Sequence, residues 1–414
     1  MRSPQFVLLV ACLAAGSTPP RSVSAEVCAY VANAGDRTVA VIDVATRTVV
    51  DTVDVGAGAH GVAVGQNGAG APRVYVANSD AATVTVIDTA TLDVVRTIEV
   101  SAGPTEIVAL PSGEAVYVSH PTTGKVSVIN AASLTLATTI DVGGEPRGLD
   151  AAAGGAIVLV ANPTNNELVV IDTTTNSVTD RFETAPGPVD VAVESETTMA
   201  YVSSLPITIL RADSGEPTAG LNLRPSSNVR GITVGATFAF LCNKDSTGAN
   251  VVLIAVDPNA RTFPLPSIAL GLESEPRDIA AVPDSQMALM TDDTDDRVAV
   301  LDGENGLLMS IPVGTDPRGI AITSLSNSCR PGATPTPTIP VSTPTRTPGG
   351  GTCPGDCNGN GTVAINELIL GVNIALGNSA VSACAAFDAN GNGAVTINEL
   401  IAAVNAALNG CPEG

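Results

Sequence analysis

Two stretches near the C-terminus place oxygen-bearing side chains at a spacing that suits a hard cation. Residues 356–367 read DCNGNGTVAINE and residues 388–399 read DANGNGAVTINE. Calcium takes six to eight oxygen ligands. A twelve-residue loop supplies them from side chains at positions 1, 3 and 5, a backbone carbonyl at 7 and a bidentate carboxylate at 12, with Gly at 6 for the sharp turn. In the first copy these positions are Asp356, Asn358, Asn360, Thr362 and Glu367; in the second they are Asp388, Asn390, Asn392, Ala394 and Glu399. Gly361 and Gly393 stand at position 6. We therefore expect two calcium sites. Each loop brings one Asp and one Glu, a low charge that sets affinity at the weak end, roughly 0.1–1 mM.

A second candidate set emerges when the chain is aligned on itself. AYVANAGDRTVAVID at 29 recurs as VYVANSDAATVTVID at 74, VYVSHPTTGKVSVIN at 116 and VLVANPTNNELVVID at 158, with looser copies at 200, 239 and 288. The second residues of the copies, Tyr30, Tyr75, Tyr117, Leu159, Tyr201, Phe240 and Leu289, recur about every forty-two positions, the period of a four-stranded propeller blade. Each copy holds an apolar strand, a polar loop, a second strand, an Asp-x-x-Thr turn such as Asp43 to Thr46, and a third strand; a PRGLDA-type strand follows. The Gly and Ala of that strand suit the inner position, where blades converge on the axis. Asp43, Asp88, Asp172 and Asp302 read as turn formers, because their side chains can accept backbone N–H groups.

Aligning the inner-strand starts AHG, TEI, PRG, PVD, VRG, PRD and PRG puts His60, Thr105, Arg147, Val189, Arg230, Arg277 and Arg318 at one equivalent position around the propeller mouth. Four Arg and one His there form a candidate ring for an anionic ligand, since a cleft focuses a potential that scattered charges do not. The competing reading pairs these Arg with acidic loops. Glu106, Asp190 and Asp278 lie beside the ring, so an enzyme built on this face is the alternative to a binding platform. His120 is placed in a loop on the same face. With two His in the chain a multi-histidine metal centre is excluded. The acidic stretch TDDTDDR at 291–297 reads as a solvated turn, with ion binding as the alternative, and Cys242 reads as a buried thiol.

The Tyr-Val-x-Asn, Val-Ile-Asp-x-x-Thr and Pro-x-Gly signatures resemble the YVTN family of β-propeller repeats over residues 28–323. The resemblance implies a seven-bladed propeller and leaves function open, because propellers host lactonases, other enzymes and pure binding platforms. The two calcium loops, each followed by one amphipathic helix (365–376 and 397–408), resemble the dockerin type I module over 353–411. Dockerins usually close the loop with Asp where Glu367 and Glu399 stand. That resemblance implies docking to a protein, or to a cell-surface polymer, through the calcium module.

Composition bounds the rest. Aromatics are 2%, Trp is absent, and the chain holds 40 Gly and 29 Pro, the profile of many short strands joined by turns. A net charge of −22, with 19 Lys and Arg, argues against a nucleic-acid partner. Residues 1–25 read as a signal peptide: Arg2 ahead of an apolar run too short to span a bilayer, and small residues up to Ala25. The alternative is a lipobox, Leu9-Val10-Ala11-Cys12, with lipid on Cys12. Both lead out of the cytoplasm, to an extracellular or cell-surface location, and neither leaves a transmembrane segment.

The expected organisation is mainly β: signal peptide 1–25, a seven-bladed β-propeller over 26–329, a Pro/Thr-rich linker over 330–352, and a small α-helical calcium domain over 353–414. The first repeat lacks an inner strand and the last inner strand, 317–323, lacks a following repeat, so the two ends should pair as a clasp. That pairing would bring Cys28 to Cys329 as a disulfide. Cys353, Cys357, Cys384 and Cys411 are expected to pair among themselves, with three connectivities open. In function, the main expectation is a non-catalytic recognition or scaffold platform with the calcium module as its anchor. A lactonase- or hydrolase-like propeller and a structural surface-layer component are the alternatives.

Overall fold

The computed structural model describes residues 26–325 except 67–71, 195–198, 222–227, 236–237, 246–247, 256–267, 272–273 and 304, together with Cys329. Of the C-terminal part it describes 353–357, 363, 365–375, 381, 384–388 and 395–409. The chain divides into two compact units, 1–337 and 338–414. The signal or lipobox segment 1–25 and the linker 330–352 lie outside the described residues.

The first unit is a β-propeller of seven four-stranded sheets. In chain order the blades cover 26–54 (blade 1), 59–99, 107–141, 149–183, 191–221, 228–271 and 276–312 (blade 7). Blade 1 takes its inner strand from the far end of the chain, Pro317–Leu325, which pairs antiparallel with Glu26–Asn33, Cys28 opposite Thr323 and Tyr30 opposite Ala321. The ring therefore closes by a clasp of strands, and the disulfide Cys28–Cys329, with Cα atoms 5.7 Å apart, fastens it.

Burial explains why these sequences make these strands. The second strand of each blade is sandwiched between two neighbouring blades, so both its faces are apolar: Ala29, Tyr30, Val31 and Ala32 are all inaccessible. The core lies between sheets. Tyr30 and Val41 of blade 1 pack with Val74, Val76 and Leu92 of blade 2. The outer strands keep one anchor each (Val53, Ile98, Ile140, Phe182 and Ile311 are buried) while their other positions face outward. The repeated turns follow their side chains. Asp43 Oδ1 accepts the N–H groups of Ala45 and Thr46, and Asp172 Oδ1 accepts both the N–H and the hydroxyl of Thr175.

In the second unit, helices Ile365–Ala375 and Ile397–Asn409 enclose a small core around Phe387, Ile374 and Ala403. Cys357 is bonded to Cys384, and Cys353 is also in a disulfide. Cys411, and the loop positions Asn358, Asn360, Thr362, Asn390, Asn392 and Ala394, lie outside the described residues. Glu367 and Glu399 are buried. Among the described residues no helix is long and apolar enough to cross a membrane.

Candidate active site

The seven inner strands deliver side chains to the axis in two tiers. The upper tier holds His60, Thr105, Arg147, Val189, Arg230, Arg277 and Arg318, and all seven line a cavity of about 220 Å³ at the propeller mouth. One residue further on, the lower tier reads Gly61, Glu106, Gly148, Asp190, Gly231, Asp278 and Gly319. Glycine and carboxylic acid alternate round most of the ring. A deeper axial chamber of about 310 Å³ shares Glu106, Asp190 and Asp278 with the mouth and adds Asp150.

The alternation has a physical cause. Gly61 N–H donates to Thr105 O of the next blade at 2.7 Å, and Gly148 N–H to Val189 O at 3.0 Å. Such an approach leaves no room for a side chain: a Cβ on Gly148 would lie 1.9 Å from Asp190 Oδ1. The acidic positions send their N–H to a hydroxyl on their own blade instead. Glu106 N–H donates to Ser119 Oγ (3.2 Å), Asp190 N–H to Ser203 Oγ (2.7 Å) and Asp278 N–H to Thr291 Oγ1 (3.0 Å). Opposite the glycines the same strand position is Ala32, Ala77 or Ala161. Cys242 is the exception, its Sγ accepting Gly231 N–H at 3.0 Å. It is a free, buried cysteine whose thiol burial pushes up to about 12.

The lower acids differ in how far they are committed. Asp190 accepts Val191 N–H on one oxygen and Ile232 N–H of the next blade on the other. Asp278 does the same with Ile279 and Ile320, and Asp150 with Ala151 and Val193. These three clamp adjacent blades. Burial, then the nearby charge of Glu106, raises Asp278 to about 7; burial raises Asp150 to about 6; burial, then Asp278 and Glu106, holds Asp190 well above the usual carboxylate range. Glu106, one methylene longer, leans to the preceding blade instead. Its Oε1 lies 3.1 Å from His60 Nδ1, a close contact but not an aligned hydrogen bond, and the two side chains are 31% (His60) and 32% (Glu106) exposed. That exposure puts both within reach of a ligand.

Each mouth arginine has an acidic neighbour. Arg147 meets Glu145 at 3.5 Å, Arg318 meets Asp316 at 2.9 Å, Arg277 pairs with Asp293, and Arg230 meets Glu275 at 3.4 Å. Glu275 also takes Lys244, whose hydrogen bond is the main cause of its lowered pKa. The pairing expected as the competing reading of the ring is thus present, and the arginines are held in place by it.

Two further readings are refined. His120 is not in a loop. It ends the strand Ala115–His120, fully buried, with Nε2 2.8 Å from Ser127 Oγ, and burial lowers it to about 4. In the 291–297 stretch residues 293–296 form the expected turn, while Thr291 and Asp292 end the strand Met287–Asp292 and Arg297 ties Asp292 and Asp295. Among the described residues no cluster of three or more His, Cys, Asp or Glu is arranged to hold a metal ion. Asp150, Lys244 and Glu275 were not singled out in the sequence. The hydroxyl-or-alanine switch opposite the lower tier was the signal available for the acids.

Comparison with known proteins bears on this site. Residues 70–194, which carry Glu106, Arg147 and Asp190, match the family model described as lactonase, 7-bladed beta-propeller. Among solved structures, a putative 6-phosphogluconolactonase from Bacteroides fragilis is 15% identical, with a TM-score of 0.60 over 74% of this chain and 100% of that one. The periplasmic gluconolactonase of Pseudomonas aeruginosa is 16% identical, with a TM-score of 0.59 over 72% and 99%. Hydrazine synthase of Kuenenia stuttgartiensis also superposes, at 17% identity and a TM-score of 0.57 over 65% and 97%, so these superpositions establish the fold. No curated protein matches the sequence. The expectation of a non-catalytic platform is corrected by the match of residues 70–194 to the lactonase family model, which favours the enzyme alternative.

Proposed function

We propose that the propeller hydrolyses lactones of sugar acids at its axial mouth. The observation that carries this reading is the His60–Glu106 contact, an accessible base with an orienting carboxylate, facing a cavity lined by arginines. The match of residues 70–194 to the lactonase family and the names of the structural neighbours support the same chemistry.

With Nδ1 protonated and turned toward Glu106, the other imidazole nitrogen of His60 accepts a proton from water. The hydroxide equivalent adds to the lactone carbonyl, and the oxyanion that forms is stabilised by Arg318 on the adjacent blade. The ring C–O bond then breaks. Asp278, protonated below about 7, supplies a proton to the departing alkoxide, and the product is the open hydroxy acid. The test is hydrolysis of glucono-1,5-lactone by the full chain, read against the spontaneous rate. His60→Gln and Glu106→Gln should each lower kcat/KM by about 10²–10⁴-fold. No rate above background on any aldonolactone, or full activity in His60→Gln, would end this reading.

For the second unit we propose two calcium ions and a docking role, directing an exported enzyme to a protein or surface polymer. Glu367 Oε1 accepts the N–H of Cys357, so the carboxylate from loop position 12 folds back over position 2, as a closing ligand must. Glu399 Oε2 accepts both the N–H and the hydroxyl of Thr396. Calcium titration should show binding at roughly 0.1–1 mM, lost in the Glu367→Gln, Glu399→Gln double variant. No binding at ten times that concentration would exclude the proposal.

A further inference from the structure

Position 2 of a calcium loop supplies no ligand, yet the two loops differ there: Cys357 stands in the first and Ala389 in the second. The cysteine serves another purpose. Its disulfide runs to Cys384, which immediately precedes the single turn Ala385–Phe387, and Asp388, position 1 of the second loop, immediately follows that turn. The bond therefore joins the entry of one loop to the entry of the other. A backbone hydrogen bond runs beside it, because Gly355 N–H, one residue ahead of the first loop, donates to Ala386 O at 3.0 Å. Gly355 has a φ of +88°, and a Cβ there would lie 2.6 Å from Ala403 Cβ and 3.2 Å from Phe387 Cζ. The entry of the first loop is thus seated on elements of the second copy. Its exit is tied to the same place, since Glu367 Oε1 accepts Cys357 N–H at 2.9 Å. Glu367, Cys357, Cys384 and Asp388 form one connected path from the closing carboxylate of the first loop to the opening carboxylate of the second.

We propose that the Cys357–Cys384 disulfide couples the two calcium sites, so that they fill cooperatively and the oxidised chain binds calcium more tightly than the reduced one. The inference rests on the calcium reading for its ion and on this path for its linkage. An ion held by Glu367 fixes Cys357 through the N–H that the carboxylate accepts; the disulfide carries that order to Cys384 and on to Asp388. The second ion then meets a loop whose entry is already placed. Reduction takes two electrons and two protons from an external dithiol, leaves a thiol on each cysteine and opens the path. Linkage is reciprocal, so calcium must in turn protect this disulfide from reduction.

The experiment titrates the full chain with calcium by calorimetry. It then reduces the chain with graded dithiothreitol, with and without saturating calcium, mapping the bonds by alkylation and mass spectrometry. In the parent chain two ions should bind with a Hill coefficient above one, and Glu399→Gln should weaken the ion left on the first loop about tenfold. In the Cys357→Ala, Cys384→Ala chain the Hill coefficient should fall to one, and Glu399→Gln should no longer affect the first loop. Calcium should raise the dithiothreitol needed to open Cys357–Cys384 about tenfold, and raise it less for the disulfide of Cys353 in the same unit. The Cys353 bond controls for general stabilisation of the unit, and Cys28–Cys329 in the propeller should not respond. Reduction of the parent chain needs no variant, so it decides the matter even where the double variant fails to fold. Equal protection of the Cys353 and Cys357 disulfides, or a Hill coefficient of one in the parent chain, overturns the coupling and leaves the calcium sites standing. A parent chain that binds no calcium overturns both.

Discussion

Asp278 carries two consequences of one proton. Its carboxyl is buried, sits beside Glu106, and is raised to about 7 from an ordinary 3.8. Between those values the folded protein binds a proton that the unfolded chain has released. Its contribution to stability is therefore fully present below about 4 and is lost as pH rises through about 7. In the proposed mechanism the same proton goes to the leaving alkoxide, so kcat should decline as pH rises past about 7. Asp278→Asn should remove both slopes: a lower kcat without the alkaline limb, and an unfolding free energy flatter between pH 5 and 8. A pH–rate profile that keeps its alkaline limb in Asp278→Asn would assign that limb elsewhere. Glu106 is distinguished from its neighbours by a single methylene, and it turns to His60 on the preceding blade where Asp190 and Asp278 each accept an N–H of the next.

The blade was legible because both faces of its second strand are buried and the Asp-x-x-Thr turn is local chemistry; period and turn residues suffice to place them. The upper tier was legible for the same reason, since a fixed offset from a repeat names equivalent positions. His120 was misplaced because a buried histidine at a strand end has the sequence appearance of a loop residue, and only its partner across the hairpin, Ser127, shows otherwise. The Lys244–Glu275–Arg230 chain joins residues 31 and 45 positions apart in sequence, and no periodicity connects them. The rule that an acidic lower-tier residue has a hydroxyl on the neighbouring strand yields its own prediction. Ser203→Ala leaves the buried N–H of Asp190 without its acceptor at 2.7 Å, which should cost about 1–3 kcal/mol in denaturant unfolding. Ser203→Thr, which keeps the hydroxyl, should restore most of it; equal losses in the two variants would make packing the cause.

At the scale of the molecule, the propeller is a closed ring only because two distant segments share blade 1. Without the clasp, blades 7 and 2 would each present an open flank, and Arg318, beside His60 at the mouth, would leave with the final strand. Closure therefore stabilises the fold and completes the proposed site together. The Cys28–Cys329 disulfide spans 301 positions, and Glu26 accepts Cys329 N–H at 2.9 Å beside it. A cross-link over so long a loop restricts the unfolded chain by about 6 kcal/mol in the chain-entropy model. Cys28→Ser with Cys329→Ser should thus lower the propeller's thermal midpoint by about 5–10 °C in non-reducing buffer. At low temperature the double variant should retain its kcat/KM on whichever lactone is hydrolysed, because the strand pairing of Tyr30 with Ala321 and Val31 with Ile320 still holds Arg318 in place. An unchanged midpoint would make the strands alone sufficient to close the ring, whereas activity lost ahead of the thermal transition would show that the disulfide, not the strand pairing, positions blade 1 at the mouth.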